Sequence, residues 1–404
     1  MQTPLILPYV QWKSWRERIR NFTPAWHAVI MGTGVVSALL HNFPYGSDRE
    51  PLRVAAASFF LLNLVLFVFV CACTVARYFV FPQTWPLMLA HPSQSLFLGC
   101  FPMGVTTLIN AGLNLHQDWG FGGNGFLYFL WGCWWLDSAI SYLTAFGMLY
   151  VMSVRQEHST TNMAAVWLLP FVTLVVASST GGLLANALRS HSTTLALLTV
   201  GIDFVMVSTG LSFALMIITV YLLRLILHGI PDRSLILSAF IIIGPLGQGG
   251  YSLLVNGQSL SELLPLHNFG NFPEAPLAGQ ILFASCFCGA YVLWSMGVAW
   301  ILVACSSVFY VVQRGAVPFS LGYWGLVFPN GVFALLSVEL GVILNSPFFH
   351  AFGALWSVVA FALWLFIFLR SVPSFIDGSM FLAPCLKNNT IAMISVDEES
   401  KVID

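Results

Sequence analysis

Charge is what this chain has least of. Only 8% of its 404 residues are Asp, Glu, Lys or Arg, where a soluble domain carries about a quarter. Hydrophobic residues make up 58%, and mean hydropathy is +0.84. A soluble globular class is excluded, and an integral membrane protein is predicted. The net charge of -1 favours no particular partner, and no basic patch suggests nucleic acid. The nine histidines form no pair at i, i+3 or i, i+4, so a helical zinc site is not available. No Walker loop, Gly-x-Ser-x-Gly elbow or dinucleotide fingerprint occurs. Neither an enzyme, nor a cofactor, nor a metal centre is expected. A disulfide framework is not expected either, because six of the eight cysteines fall well inside apolar segments. The Cys71/Cys73 and Cys286/Cys288 pairs stand two residues apart, on different faces of a helix, and read as small apolar packing.

What the sequence does contain is an alternation. Five apolar segments carry Gly or Pro near their middle: Gly32-Thr33-Gly34, Phe101-Pro102-Met103-Gly104, Leu169-Pro170 with Gly181-Gly182, Gly244-Pro245-Leu246-Gly247, and Phe328-Pro329-Asn330-Gly331. Five long segments without proline alternate with them. Proline in a membrane helix frees a carbonyl that lipid cannot satisfy but a helix neighbour or a wet lumen can. The interrupted helices are therefore expected inside, around a pathway, and the smooth ones outside. Since about 20 apolar residues cross a bilayer, ten spans are predicted, near 24–42, 53–80, 93–114, 126–153, 163–187, 193–227, 234–256, 279–312, 320–345 and 348–371. The fold class is thus all-α and integral to the membrane, with five helical hairpins in quasi-fivefold order around a central pore. A segment 1–23, a transporter domain 24–372 and a tail 373–404 make up the chain, the tail fraying from Pro373 into an acidic end.

Twelve of the fifteen Lys and Arg fall on the side of the termini, and Arg49, Arg53 and Arg189 on the other. The positive-inside rule then places both termini in the cytosol. The loop from Asn256 to Gly279 has no Lys or Arg and is predicted to be the longest internal loop, on the outer face.

Ionisable residues inside the membrane are costly and mark function by default. Asp137, Asp203 and Glu339 meet that description, and no Lys or Arg lies near the centre of any span. An anion path here would use backbone N–H groups, helix-end dipoles and small hydroxyls such as Thr33, Thr106, Thr107 and Ser178, with Gly34, Gly247 and Asn330 beside the breaks. Such a site binds weakly and releases fast, as a channel does. For Asp137 and Asp203 two readings stand: carboxyls that satisfy freed backbone groups, or proton-coupling groups. Glu339, close to three helical turns beyond Phe328, is a candidate pore residue. His27, one turn before Gly32, reads as a packing residue or as a pH-sensitive one. Phe101 and Phe328 each precede a proline, which biases the preceding residue away from helical geometry. Either ring could plug a narrow lumen.

The run from Asn21 through Pro24-Ala25-Trp26 to Met31-Gly32-Thr33-Gly34 resembles the opening of the tellurite-resistance and dicarboxylate transporter family. With Leu326-Val327-Phe328-Pro329-Asn330-Gly331-Val332-Phe333 and Leu39-Leu40-His41-Asn42-Phe43-Pro44-Tyr45, it is most similar to that family's fungal sulfite efflux pumps. The resemblance runs through all ten predicted spans. It implies five hairpins about a pore, a homotrimer, and closure by a phenylalanine on the ninth helix, here Phe328. His27 stands where many relatives have an aromatic residue, so no family role transfers to it. The expectation is a plasma-membrane exporter of a small inorganic anion, sulfite or hydrogensulfite, with a proton-coupled dicarboxylate (malate-type) permease as the alternative.

Overall fold

A computed structural model describes residues 14–46, 49–231, 233, 235–266 and 275–386. Among these, every regular element is helical: α1 (Trp15–Arg20), α2 (His27–His41), α3 (Glu50–Val80), α4 (Thr84–Ala90), α5 (Cys100–Trp119), α6 (Gly123–Val154), α7 (Leu169–Leu188), α8 (Thr193–His228), α9 (Ile243–Leu263), α10 (Ala275–Val312), α11 (Val327–Leu344) and α12 (Pro347–Ile376). Eight helices, counting the 3-10 turns joined to them, are long and apolar enough to cross a membrane. The other two candidates are α2, with only 15 residues, and α6, which carries Asp137 among several Trp and Tyr side chains.

Helix packing closes a cycle. α2 packs on α5, α5 on α7, α7 on α9, α9 on α11, and α11 back on α2. α3, α8, α10 and α12 pack on the cycle member that precedes each in the chain, whereas α6 lies between α5 and α7 and leans more on α7. Burial follows the same division. In the most apolar stretch of each helix, 67% to 94% of residues are buried for α5, α7, α9 and α11, against 17% to 33% for α3, α8, α10 and α12.

The prolines act differently from the predicted mid-helix breaks. Each cycle helix is led by a 3-10 stretch: Pro24–Trp26, Ser95–Gly99, Ala165–Leu168, Ile236–Ile242 and Leu321–Leu326. Pro102, Pro170, Pro245 and Pro329 then fall in the first turn of the α-helix. A first-turn proline needs no hydrogen-bond donor, so the helix continues through it. Phe101 and Phe328 are accordingly helical, and the expected opening of the backbone before each proline is absent. The long helices also reach prolines at their ends, Pro51 and Pro347 in first turns and Pro373 within the last turn of α12.

The glycines explain how the cycle closes, because each of its five interfaces has a glycine where a Cβ would collide. That Cβ would lie 2.1 Å from Thr107 Oγ1 at Gly34, 2.6 Å from the Leu169 carbonyl at Gly99, and 2.9 Å from Val255 at Gly182. It would lie 2.8 Å from the Phe333 backbone at Gly247 and 2.6 Å from Val35 at Gly331. Small residues let membrane helices approach closely where lipid supplies no hydrophobic drive.

Both chain ends belong to the fold more than expected. Arg18 donates to the carbonyls of Phe375 at 3.1 Å and Ile376 at 2.8 Å, and the rings of Phe22, Trp26, Phe375 and Phe381 cluster. Fully buried Arg77 donates to the Phe22 carbonyl. The expected boundary at Pro373 is therefore corrected: α12 runs to Ile376, and Met380, Phe381, Ala383 and Cys385 are buried. The acidic end, with Asp397, Glu398, Glu399 and Asp404, and residues 1–13 lie outside the described residues. The expected long outer loop is shorter, since α9 continues past buried Asn256 to Leu263; Glu274 lies outside the described residues.

Gly247 offers a direct check on the close approach. Gly247→Val is expected to lower stability by about 1–3 kcal/mol, because rigid backbone, not a movable side chain, meets the new Cβ. Gly132→Ala, in open space on α6, is expected to be neutral or better. Thermal unfolding in detergent compares the two, and an unaltered Gly247→Val protein would contradict the packing account.

Candidate functional site

Two cavities lie along the interior of the helix cycle. The smaller, about 30 Å³, is apolar and takes Ala28 and Met31 from α2, Met103 from α5, Val172 from α7, Gly244 from α9 and Phe328 from α11. The larger, about 120 Å³, is lined by residues of the same five helices, among them Gly34 and Ala38 of α2, Val176 of α7 and Val332 of α11. All five helices contribute to each cavity; α3, α6, α8, α10 and α12 contribute to neither. Among the described residues, Phe328 is the single one that lines both. Its ring, 4% exposed, thus stands between them.

The wall of the larger cavity mixes apolar side chains with a polar, almost uncharged stripe. On α5, Thr107, Asn110, Asn114 and Gln117 form one stripe at helical spacing, and Gln248 and Tyr251 face it from α9. The Asn110 amide oxygen has no partner, whereas Thr107 accepts from Asn63 at 3.3 Å and donates to the Gly104 carbonyl at 2.8 Å. Gln248 donates to Ser179. Primary amides present both donors and acceptors without fixed charge. An anion can be held there by several weak hydrogen bonds and let go again. Apart from Thr107, this stripe was missed by a reading centred on prolines and glycines, although its i, i+3, i+7, i+10 spacing is plain in the sequence.

Of the residues singled out from sequence, Phe328, Gly34 and Thr107 line the larger cavity. Most others turn outward. Phe101 lies edge-on to His27 at 5.3 Å and stacks on Phe67 of α3 at 6.1 Å, so it is corrected from gate to packing residue. His27 is buried, its Nε2 3.4 Å from Thr74 Oγ1 on α3. Thr33 donates to the Val29 carbonyl and accepts from Trp364 of α12 at 3.1 Å. Thr106 donates to Asp137 at 2.7 Å, at the α5–α6 contact. Ser178 joins Ser252 at 2.8 Å and Asn256 at 3.1 Å, and donates to the Asp203 carbonyl at 3.0 Å. Gly247 is the α9–α11 contact, and Asn330 donates to the Leu326 carbonyl at 2.7 Å, within the turn where 3-10 becomes α.

The three carboxylates also lie off the cavities. Asp137 is buried with one oxygen bonded by Thr106 and the other without a partner. Asp203 is fully buried against Gly181, where a Cβ would come within 2.1 Å of its Oδ1, and neither of its carboxyl oxygens has a partner. Glu339 lines neither cavity but continues the Phe328, Val332, Leu335 face of α11 one turn further, near Tyr251.

At the C-terminal end of α5, Asp118 gathers two basic side chains. His41 Nε2 is 3.1 Å from its Oδ2, and Arg53 Nε is 3.6 Å from its Oδ1. His41 lines the larger cavity.

Residues 21–372 match the family model described as voltage-dependent anion channel, SLAC1. The chain is 36% identical over 358 residues to the sulfite efflux pump SSU1 of Arthroderma otae, covering 88% of this chain and 91% of that one. It is 30% identical over 348 residues to the sulfite efflux pump SSU1 of Candida albicans, covering 80% of this chain and 67% of that protein. The malic acid transport protein of Schizosaccharomyces pombe is 21% identical over 367 residues, 90% of this chain and 81% of that one. Coverage this complete, joined to an apolar helical cycle around two cavities, leads to one conclusion: the chain is a multi-pass membrane protein and belongs to the voltage-dependent anion channel family.

Proposed function

We propose that this protein exports sulfite or hydrogensulfite across the plasma membrane by a channel-like path along the axis of the helix cycle. In this reading ten helices cross the bilayer as five hairpins in quasi-fivefold order, both termini are cytosolic, and the unit assembles as a homotrimer. The observation that carries it is that, among the described residues, Phe328 is common to the linings of the two cavities. The similarity to sulfite efflux pumps supports the substrate. A cytosol held negative drives an anion outward by about 2.3 kcal/mol per charge per 100 mV, so no nucleotide site is needed. Phe328 acts as the gate, excluding water from an apolar constriction, and the amide stripe of α5 receives the anion beyond it.

A second reading, a proton-coupled dicarboxylate permease, is supported by the malic acid transport relative and by the buried Asp137 and Asp203. Both lie away from the two cavities, and Asp137 is bonded by Thr106 at a helix contact, which favours a structural part instead. Asp203→Asn and Asp137→Asn are expected to reduce folded yield while leaving the pH dependence of flux in place; a shifted pH profile at normal abundance would favour the second reading.

Purified protein in liposomes at a set membrane potential separates the substrates. Sulfite efflux is expected to exceed malate flux, and Phe328→Ala to raise sulfite flux several-fold with weaker discrimination, while Phe101→Ala changes little. Malate flux equal to sulfite flux would overturn the substrate assignment. Unchanged flux in folded Phe328→Ala would remove the gate and leave the substrate assignment standing.

A further inference from the structure

The walls of the larger cavity hold only two ionisable side chains among the described residues, His41 and Tyr251. His41 also lines a small adjoining cleft together with Arg53 and Asp118, and Ala111 and Asn114 border both spaces. The cluster therefore opens onto the cavity instead of standing apart on the surface. Asp118, its side chain 10% exposed, is paired with Arg53 whatever the state of His41. With a neutral imidazole the cluster carries one positive and one negative charge. A second proton on the ring adds an uncompensated positive charge at the cavity wall. Asp118, 3.1 Å from Nε2, is the contact that favours the charged ring, and Nδ1 has no protein partner.

We propose that His41, oriented by Asp118, is the specificity-determining charge of the outer cavity, favouring anion occupancy beyond Phe328 when the outer solution is acidic. This rests on the transport reading above and adds the control of its outer half. The charged or titratable groups around His41 are Arg53 from α3, Asp118 from α5, Tyr251 from α9 and, further along α11, Glu339. Among the described residues α7 and α12 place no charged group in contact with it. Asp118 is a positioning residue: it holds the ring at the wall and cancels Arg53, so that a single proton decides the sign of the local charge.

The test uses the full chain in liposomes loaded with sulfite at a fixed internal pH of about 8, so the species leaving is constant while only the outer pH is changed. Efflux in the wild type is expected to rise roughly three- to tenfold as the outer pH falls from about 8 to about 5.5, the size of effect one nearby charge exerts at moderate screening. His41→Gln is expected to give the same rate at both values, and His41→Lys a uniformly faster one. Asp118→Asn, which frees Arg53, is expected to be faster already at the higher pH, with equal amounts of folded protein confirmed by gel filtration. An acid stimulation that survives in His41→Gln, or a wild-type efflux indifferent to outer pH, overturns the proposal while transport itself stands. Absence of sulfite efflux at every pH overturns the transport reading and this inference with it.

Discussion

Backbone contact at glycine is the constraint on which the rest depends. Five helices can close a ring around an axis only if neighbours approach nearer than ordinary side chains allow, and each interface here is bridged at a residue with no Cβ. In water such a bundle would be driven together by burial of apolar surface. Between helices in lipid that drive is missing, and van der Waals contact and hydrogen bonding must supply it. The outer helices complete the arrangement from outside through bonds such as Trp364 to Thr33 and Trp294 to Ser337. The small hydroxyls of the ring are thus largely consumed in holding it together.

The path inherits its chemistry from what remains. One half is apolar and narrow, the other polar and uncharged except at its mouth, and a single aromatic ring stands between them. No Lys or Arg lines either cavity. Fixed cations would bind an anion tightly and release it slowly, whereas amides and a removable proton favour passage. The 3-10 leaders matter to this layout, because they carry each ring helix through its proline and set Phe328 on a regular helical face in line with Val332 and Leu335.

Much of this was legible in the sequence, for reasons specific to particular residues. Alternation of glycine-bearing and smooth segments separated the inner helices from the outer ones, and burial in the structure divides them in the same way. Proline was misread as a break, since its position relative to the start of an α-helix cannot be seen when the preceding 3-10 turn is just as apolar. Thr33, Thr106 and Ser178 were placed toward a lumen, yet their partners Trp364, Asp137 and Asn256 come from residues 25 or more positions away, and only three-dimensional packing reveals that pairing. Phe328 was found through family resemblance joined to its proline; the proline alone is shared by Phe101. What distinguishes the two is orientation, one ring inward and one against Phe67. Asn110, Asn114 and Gln117 carried a legible spacing and were overlooked because polar residues near a helix end look like ordinary membrane-interface side chains.

Thiol accessibility tests the central claim, that Phe328 is the partition between two axial cavities, most directly. Single cysteines at Asn114 and at Met31, in a background freed of native cysteines, would be exposed to a charged, membrane-impermeant thiol reagent added outside. The account expects Asn114→Cys to react, and Met31→Cys to stay unreactive until Phe328→Ala is added. A Met31→Cys that reacts from outside with Phe328 intact, or an Asn114→Cys that never reacts, would contradict it.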